Sequence, residues 1–308
     1  MVVCIFMWFR NLQLFRLTTD FTLRAEDLET RLASDAFTPC GALQPETLGW
    51  TPPLGGQSEA LTHAAEGRFL LCAKREERIL PASVVREEVE EKAARIEQSE
   101  GRSVGRKERE RIRDEVMQSL LPRAFTRSGK VYAYVDPGAR WLVVDAASRK
   151  RAEELTVLLR KSLGTLPVVP PQTVQAPAAV MTHWLMESPP EEFQPLDTFE
   201  LREEGDAGAV IRGRRQAVDA DEILVHLRAG KRVGNLALQF GERLTAVVGE
   251  DLSVKRLRFL EGVTEEAGAT ENEDKQARMD ADFVLMAGEL RVFLDRLMQV
   301  FGGVADPE

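Results

Sequence analysis

An aromatic ring stands among cations in the stretch SLLPRAFTRSGK, which runs from Ser119 to Lys130. Phe125 lies two residues after Arg123 and two residues before Arg127. A phenyl ring between a helix and a strand is usually buried, because it carries a large apolar area. Alternatively, an exposed ring in a basic setting can open a base step while the cations hold phosphates. The residues alone favour the buried ring and leave the second interpretation open.

Other basic side chains occur in short clusters, although the formal net charge of the chain is −9. Arginine and lysine supply phosphate contacts in nucleic-acid complexes, and a neighbouring Gln216 would add a neutral donor. A single cluster is more often a solvated surface, so only convergence on one surface would make a site. Strand alternation would place Arg212 and Arg214 on one face and Arg215 on the other. The clusters are Lys74-Arg75, Arg149-Lys150-Arg151, Arg212 with Arg214-Arg215, and Lys255-Arg256 with Arg258.

The sequence lacks the usual signatures of nucleotide hydrolysis and of zinc chemistry. GxxxxGK[ST] and HExxH do not occur, and neither does a CxxC pair that would suggest zinc, whereas the spacing GxSxG occurs as GRSVG at 101–105. Asp280, Asp282 and Glu289 could form the metal site of a nuclease, although acids near a helix start more often serve as caps. The residues alone therefore indicate no catalytic site and no metal site, with a metal-dependent nuclease as the alternative.

Composition limits the class of protein without identifying it. A chain of 308 residues with 44% hydrophobic and 30% charged residues is typical of a globular protein with two or three lobes. No apolar run approaches the roughly 18 to 20 residues of a membrane-spanning helix, so we expect no membrane association. The pI of about 5.2 argues mildly against nucleic acid as a partner. Net charge does not show how positive and negative residues are distributed over the surface, however, and an acidic protein can carry a basic groove.

The pattern of elements predicts an α+β fold with mixed or antiparallel sheets and packed helices. Strand-like KVYAYV and WLVV flank the turn DPGAR, which indicates a hairpin. Between Pro81 and Pro122, two thin apolar stripes at helical spacing are broken at Gly101 and Gly105. We interpret them as two antiparallel helices that project as an arm, with one continuous helix as the alternative.

A proline-rich segment, LPVVPPQTVQAPAA at 166–179, marks the main boundary between lobes. The predicted organisation has three parts. Residues 1–80 and 123–170 form a central α+β domain, residues 81–122 form a helical tip arm, and residues 171–308 form a base α+β domain.

Several blocks along the chain resemble the RdgC family of recombination-associated proteins. They occur in order and span nearly the whole sequence, which makes the resemblance specific. Members of that family typically begin at a sequence like MWFRNL, so residues 1–6 resemble an upstream extension and Met7 the start. The blocks are FTPCG (37–41), LGWTPPLG (48–55), ALTH (60–63), KREERILP (74–81), SLLPRAF (119–125), LLRKSLGTLPVVP (158–170), VKRLRF (254–259) and DADFVLMAGEL (280–290).

The resemblance implies a cytoplasmic, nucleoid-associated bacterial protein that binds double- and single-stranded DNA with little sequence preference. It further implies a ring-shaped homodimer with duplex in a basic central hole, a restraining action on RecA-promoted strand exchange, and neither enzymatic activity nor cofactor. Direct binding of RecA by the arm, as an interaction scaffold, is a further alternative. The resemblance shifts our expectation for Phe125 towards a functional ring and adds the pair Arg215-Gln216. The predicted DNA-binding residues are Lys74, Arg75, Arg123, Phe125, Arg127, Arg214, Arg215, Gln216 and Lys255.

Overall fold

The computed structural model describes residues 8–203, 205, 208–263 and 275–305. Twelve strands in this part of the chain form one sheet, whose main path runs β2-β4-β5-β6-β1-β12-β11-β10-β8-β9. All pairings between these strands are antiparallel, as the hairpin signals predicted. The strands are β1 (Leu12–Leu17), β2 (Glu46–Trp50), β3 (Thr62–Ala65), β4 (Arg68–Ile79), β5 (Phe125–Asp136), β6 (Trp141–Asp145), β7 (Val168–Val169), β8 (Phe193–Arg202), β9 (Val210–Arg214), β10 (Arg232–Phe240), β11 (Leu244–Gly249) and β12 (Val254–Phe259).

Helices interleave with these strands, so the predicted α+β class is confirmed. The final helix is by far the longest that covers the sheet, at 26 residues. None of the described helices has the length and apolar content that a bilayer crossing would need. The helices are α1 (Ala25–Ala33), α2 (Ala82–Glu100), α3 (Arg106–Leu120), α4 (Arg149–Leu163), α5 (Pro177–Met186), α6 (Asp221–Arg228) and α7 (Lys275–Val300).

The sheet has two core layers because alternate residues of each strand point to opposite faces. In the first half, Leu71, Ala133 and Val144 face α1 and α4, which contribute Leu28 and Leu155 to the same apolar cluster. The opposite face packs against α7, and this second cluster continues under β8, β10 and β11 together with α5 and α6. The sheet is therefore covered on both faces in its first half, whereas in its second half the helices lie on one face.

The predicted arm consists of two separate helices, α2 and α3, joined by five residues. Gly101 ends α2 with φ of 64°, a left-handed conformation that favours glycine, and its amide donates to the carbonyl oxygen of Glu97. Val85 and Ala93 of α2 pack against Ile112 and Val116 of α3 in a small cluster separate from the main cores. One continuous helix is thus excluded. The division of the chain into three domains remains a prediction.

Helix α7 packs against both halves of the sheet, which meet at a short pairing of β1 with β12. Strands β1 and β12 pair at one position, Leu12 opposite Val254. Phe283 of α7 contacts the ring of Tyr134 on β5, at 6.0 Å between centroids. Farther along α7, Phe293 contacts Phe240 on β10, at 5.5 Å. The helix therefore holds both halves together from one side.

Candidate nucleic-acid interface

The second half of the sheet presents an uncovered face that carries several cations, which we call the open face. Arg212 and Arg214 of β9 line a shallow cavity of about 200 Å³ together with Lys255 and Arg256 of β12. These residues come from opposite ends of a five-strand path, β9-β8-β10-β11-β12. The cavity floor is formed by smaller or uncharged side chains that include Thr198, Asn235 and Val247. Convergence of distant cations, which spacing alone could not show, is thus observed here.

The two arginines of β9 face outwards because Gly213, which lies between them, packs against the core. A Cβ atom at Gly213 would lie 2.2 Å from the ring of Phe199, so only glycine fits that position without movement of the ring. Phe199 itself is buried at 2% exposure. With Gly213 facing inwards, alternation turns Arg212 and Arg214 to the open face, as the sequence predicted.

A buried carboxylate organises one side of the open face. Glu200 accepts hydrogen bonds from Arg212 Nε and Arg202 Nε, both at 2.6 Å, and from Asn235 Nδ2 at 3.3 Å. Burial alone would raise the pKa of Glu200, but the hydrogen bonds from Arg212 and Arg202 outweigh it and the pKa is lowered. Glu200 is therefore an anion whose charge is neutralised by the two arginines. Within the described residues, Arg214 and Arg256 form no ion pair, so their charges are available to a ligand.

Arg215 and Gln216 lie at the end of β9, where the strand turns. Arg215 is exposed and has φ of 54°, a conformation that residues other than glycine adopt infrequently. It therefore leaves the strand path, and the alternation that would have sent it through the sheet does not apply. The Gln216 side-chain amide donates to Glu222 at the start of α6, and its backbone amide donates to Asp197 at 3.2 Å. The pair forms a bent corner beside the open face.

Phe125, the first residue of β5, is 85% exposed, so the buried position that the residues alone favoured is wrong for this chain. Leu121, the residue that follows α3, is buried instead, at 7% exposure. Ile79 lies directly opposite Phe125 on β4 and is also exposed, at 46%. The two side chains form a small apolar surface at the root of the arm, flanked by the exposed Arg123.

The other predicted cations on β4 and β5 are engaged in different ways. Arg127 donates from Nε to Glu77 Oε1 at 2.8 Å, which lowers the pKa of that carboxyl. Arg75 donates to Glu46 and Glu154, and the Glu46 contact raises the pKa of the guanidinium. Lys74 lies on the opposite face of β4 from Arg75.

The Lys74 ammonium is 4.3 Å from the centre of the Phe37 ring. Lys74 is therefore turned away from the surface to which Arg75 and Arg127 belong.

The strand register shows how the open face relates to Phe125. Leu12 of β1 and Val254 of β12 are directly opposite each other and belong to the cluster under α7. The residues that follow them, Gln13 and Lys255, consequently face the other side of the sheet. This other side is the open face in the second half of the sheet.

The same register continues across the first half of the sheet. Gln13 lies opposite Val144, and Val144 lies opposite Ala133 on β5. Every second residue of β5 faces the same side of the sheet, so Phe125 and Arg127 face the same side as Ala133. This is also the side of the open face. The exposed ring and the cations of β9 and β12 share one side of one sheet, although the twist of the sheet turns them relative to each other.

Sequence reasoning missed Arg256 as a member of this surface. The pattern VKRLRF would send Arg256 to the side opposite Lys255, but β11 and β12 contain a register shift between Thr245 and Val247. Arg256 has φ of 53° at this irregularity, and both Lys255 and Arg256 line the same cavity. A bulge of this kind redirects side chains and has no clear sequence signal when it lacks glycine.

The three carboxylates considered for a nuclease are not brought together. Asp280 contacts His63 Nε2 at 2.8 Å, whereas Glu289 accepts from Arg243 at 2.7 Å. Asp282 is 5% exposed and burial raises its pKa to about 6. Nine residues separate Asp280 from Glu289 on α7, which corresponds to roughly 13 Å along a helix axis. Among the described residues, no three His, Cys, Asp or Glu side chains are grouped closely enough to hold a metal ion.

Comparison with known proteins places this architecture in a family. The family model described as "Putative exonuclease, RdgC" matches residues 7–304. The chain is similar to the recombination-associated protein RdgC of Aeromonas hydrophila, with 45% identity over 298 residues that cover 96% of this chain and 98% of the relative. It is also similar to the recombination-associated protein RdgC of Salmonella paratyphi B, with 42% identity over 300 residues that cover 97% and 99% of the two chains. The chain belongs to the RdgC family.

Proposed function

We propose that this protein binds double- and single-stranded DNA through backbone phosphates and without reading the sequence. The observation that carries the proposal is the open face, where cations from β9 and β12 converge although the chain as a whole is acidic. Arg214 and Arg256 have no ion-pair partner among the described residues, so a phosphate would meet charges that are already exposed. Phosphate contacts position a duplex and carry no direct sequence information.

Phe125 supports binding that tolerates any sequence. Every base has a π-face, so an exposed ring can stack on a base or enter a base step without preference for one base. The ring is exposed at the root of the arm and faces the same side of the sheet as the open face. The arm and the sheet would then contact the same nucleic acid.

We further propose that two copies close into a ring around duplex DNA, and that the bound dimer restrains RecA by occupying the DNA. The names of the relatives link them to recombination, and occupancy requires no chemistry beyond phosphate binding. A closed ring would leave long or circular DNA slowly, because it must first open.

The dependence of duplex affinity on salt tests the phosphate-binding proposal. For B-DNA, log K falls against log [salt] with a slope of about −0.9 for each phosphate contacted. We expect a steep negative slope for the natural protein and a shallower one for Arg214→Ala/Arg256→Ala. Arg228→Ala, which removes an exposed cation at the end of α6, is the control and should leave the slope unchanged. A flat slope for the natural protein would refute phosphate-dominated binding.

We also propose that the protein acts by binding and does not cut DNA. Incubation of end-labelled linear DNA with the protein and Mg²⁺ or Mn²⁺ tests this directly. Intact DNA under conditions of full binding is the expected result. Cleavage that disappears in Asp280→Asn would instead support the nuclease alternative, because that substitution removes a carboxylate from the group suggested by sequence.

A further inference from the structure

A second basic cavity lies between the outer part of strands β4 and β5 and the first turn of α4, and we call it the ribbon cleft. Its volume is about 500 Å³. Four cations line it, Arg75, Arg127, Lys150 and Arg151, against the two carboxylates Glu77 and Glu154. Four positive and two negative charges leave a formal charge of +2 in a chain whose total is −9. Ser128 and Ser148 are also in the lining.

Two of these cations have charges that the protein leaves unpaired. Arg75 is held by Glu46 and Glu154, and Arg127 is held by Glu77. Lys150 and Arg151, in contrast, are exposed and form no ion pair within the part of the chain that the structure describes.

Glycine at position 129 keeps the inner end of the cleft free. A Cβ atom there would lie 2.9 Å from Nη2 of Arg151, so a larger residue would displace that guanidinium. Gly129 lies opposite Arg75 and on the same face of β5 as Arg127. The strand thus supplies space at the point where the guanidinium groups of β4, β5 and α4 approach one another.

The ribbon cleft is next to the exposed ring. Phe125 and Arg127 are two residues apart on one face of β5, which corresponds to roughly 7 Å. A strand of nucleic acid whose base meets the Phe125 ring would therefore pass its backbone over the cleft. Guanidinium groups recognise phosphate oxygens with paired N–H donors, and Arg127 and Arg75 could exchange a carboxylate partner for a phosphate.

From these observations we propose that the ribbon cleft binds a backbone phosphodiester of the nucleic-acid strand that contacts Phe125, with Lys150 and Arg151 as its principal cations. The inference rests on the proposed function and specifies a second contact region, separate from the open face. The glutamates of the cleft then limit affinity, since they compete with the phosphate for the same arginines.

The test compares Lys150→Ala/Arg151→Ala with the natural protein in titrations of a short fluorescent duplex between about 50 and 200 mM salt. If one phosphate contact is lost, the slope of log K against log [salt] becomes less negative by about 0.9, and affinity near 0.15 M salt falls about fivefold. Arg160→Ala/Arg228→Ala removes the same formal charge from exposed positions outside the cleft and should change neither quantity.

Glu154→Gln provides a test in the opposite direction. It removes a competing carboxylate from Arg75, so we expect tighter binding and a more negative slope. Circular dichroism and thermal unfolding confirm that each variant is folded. The inference is overturned if Lys150→Ala/Arg151→Ala behaves like its control, or if Glu154→Gln leaves binding unchanged. If the inference fails but the salt dependence of the natural protein is steep, the proposed function still holds. A flat salt dependence for the natural protein would contradict both the proposed function and the inference.

Discussion

Replacement of Phe125 by alanine should separate binding from stability. The Phe125 side chain is 85% exposed, so folding buries only a small part of its apolar area. Complete burial of a phenylalanine is worth about 1.5 to 3 kcal/mol, and the remaining buried fraction corresponds to at most about 0.5 kcal/mol. For a chain of this length we therefore expect Phe125→Ala to lower the Tm by less than about 2 °C.

The effect of Phe125→Ala on binding should be much larger. Stacking of a base on an aromatic ring contributes about 1 to 3 kcal/mol by alanine substitution. At about 1.4 kcal/mol for each factor of ten, this predicts a loss of about 5- to 150-fold in affinity for single-stranded DNA. Fluorescence anisotropy with labelled oligonucleotides at constant salt gives the affinity, and calorimetry of the same preparations gives the Tm.

Phe293→Ala serves as the matched control, because Phe293 is 1% exposed and packs against Phe240. Removal of a buried phenyl ring of this kind costs about 3 to 5 kcal/mol. Refutation would come from a fall in Tm for Phe125→Ala comparable to that of Phe293→Ala, or from unchanged affinity in a folded Phe125→Ala protein. The first result would mean that the ring is structural, and the second that it does not meet DNA.

Two further predictions concern stability. Gly213→Ala should destabilise the protein by about 1 to 3 kcal/mol, since its Cβ would meet the buried Phe199 ring. Gly288→Ala, in α7 with open space around it, should stabilise the protein by up to about 1 kcal/mol. Denaturant unfolding measures both changes in the free energy of unfolding, and equal changes would contradict the packing. Burial raises the pKa of Asp282 to about 6, so the folded state binds more protons than the unfolded state between about pH 4 and 6, and stability falls as the pH rises through that window. Asp282→Asn should therefore raise the Tm at pH 7.5 with a gain that fades towards pH 4, and a gain independent of pH would argue against titration of this carboxyl.

Local patterns in the sequence predicted the elements that depend on neighbouring residues. The turn DPGAR forms the expected hairpin, in which the Ala139 amide donates to Asp136 Oδ1 at 2.8 Å. The two arm helices were correctly separated at Gly101, because glycine is the residue that most readily adopts the left-handed conformation that ends a helix. Alternation along VIRGR correctly placed Arg212 and Arg214 on one face.

Features that depend on distant residues could not be predicted in the same way. Arg75 is engaged by Glu46 and Glu154, which lie 29 and 79 residues away along the chain. Sequence could not show which apolar residue between α3 and β5 is buried. In the structure Leu121 is buried and Phe125 is exposed. Charge clusters therefore identified candidate cations, but tertiary contacts decide which of them are free.

Helix α7 has a mechanical consequence for any closed assembly of this chain. The two halves of the sheet meet where β1 pairs with β12 at Leu12 and Val254, and the helix spans this seam with aromatic contacts on both sides. Bending at this seam would separate the buried rings of Phe283 and Phe293 from their partners, so we expect each subunit to resist it. If two such subunits close into the proposed ring, a DNA molecule would enter where one subunit meets the next.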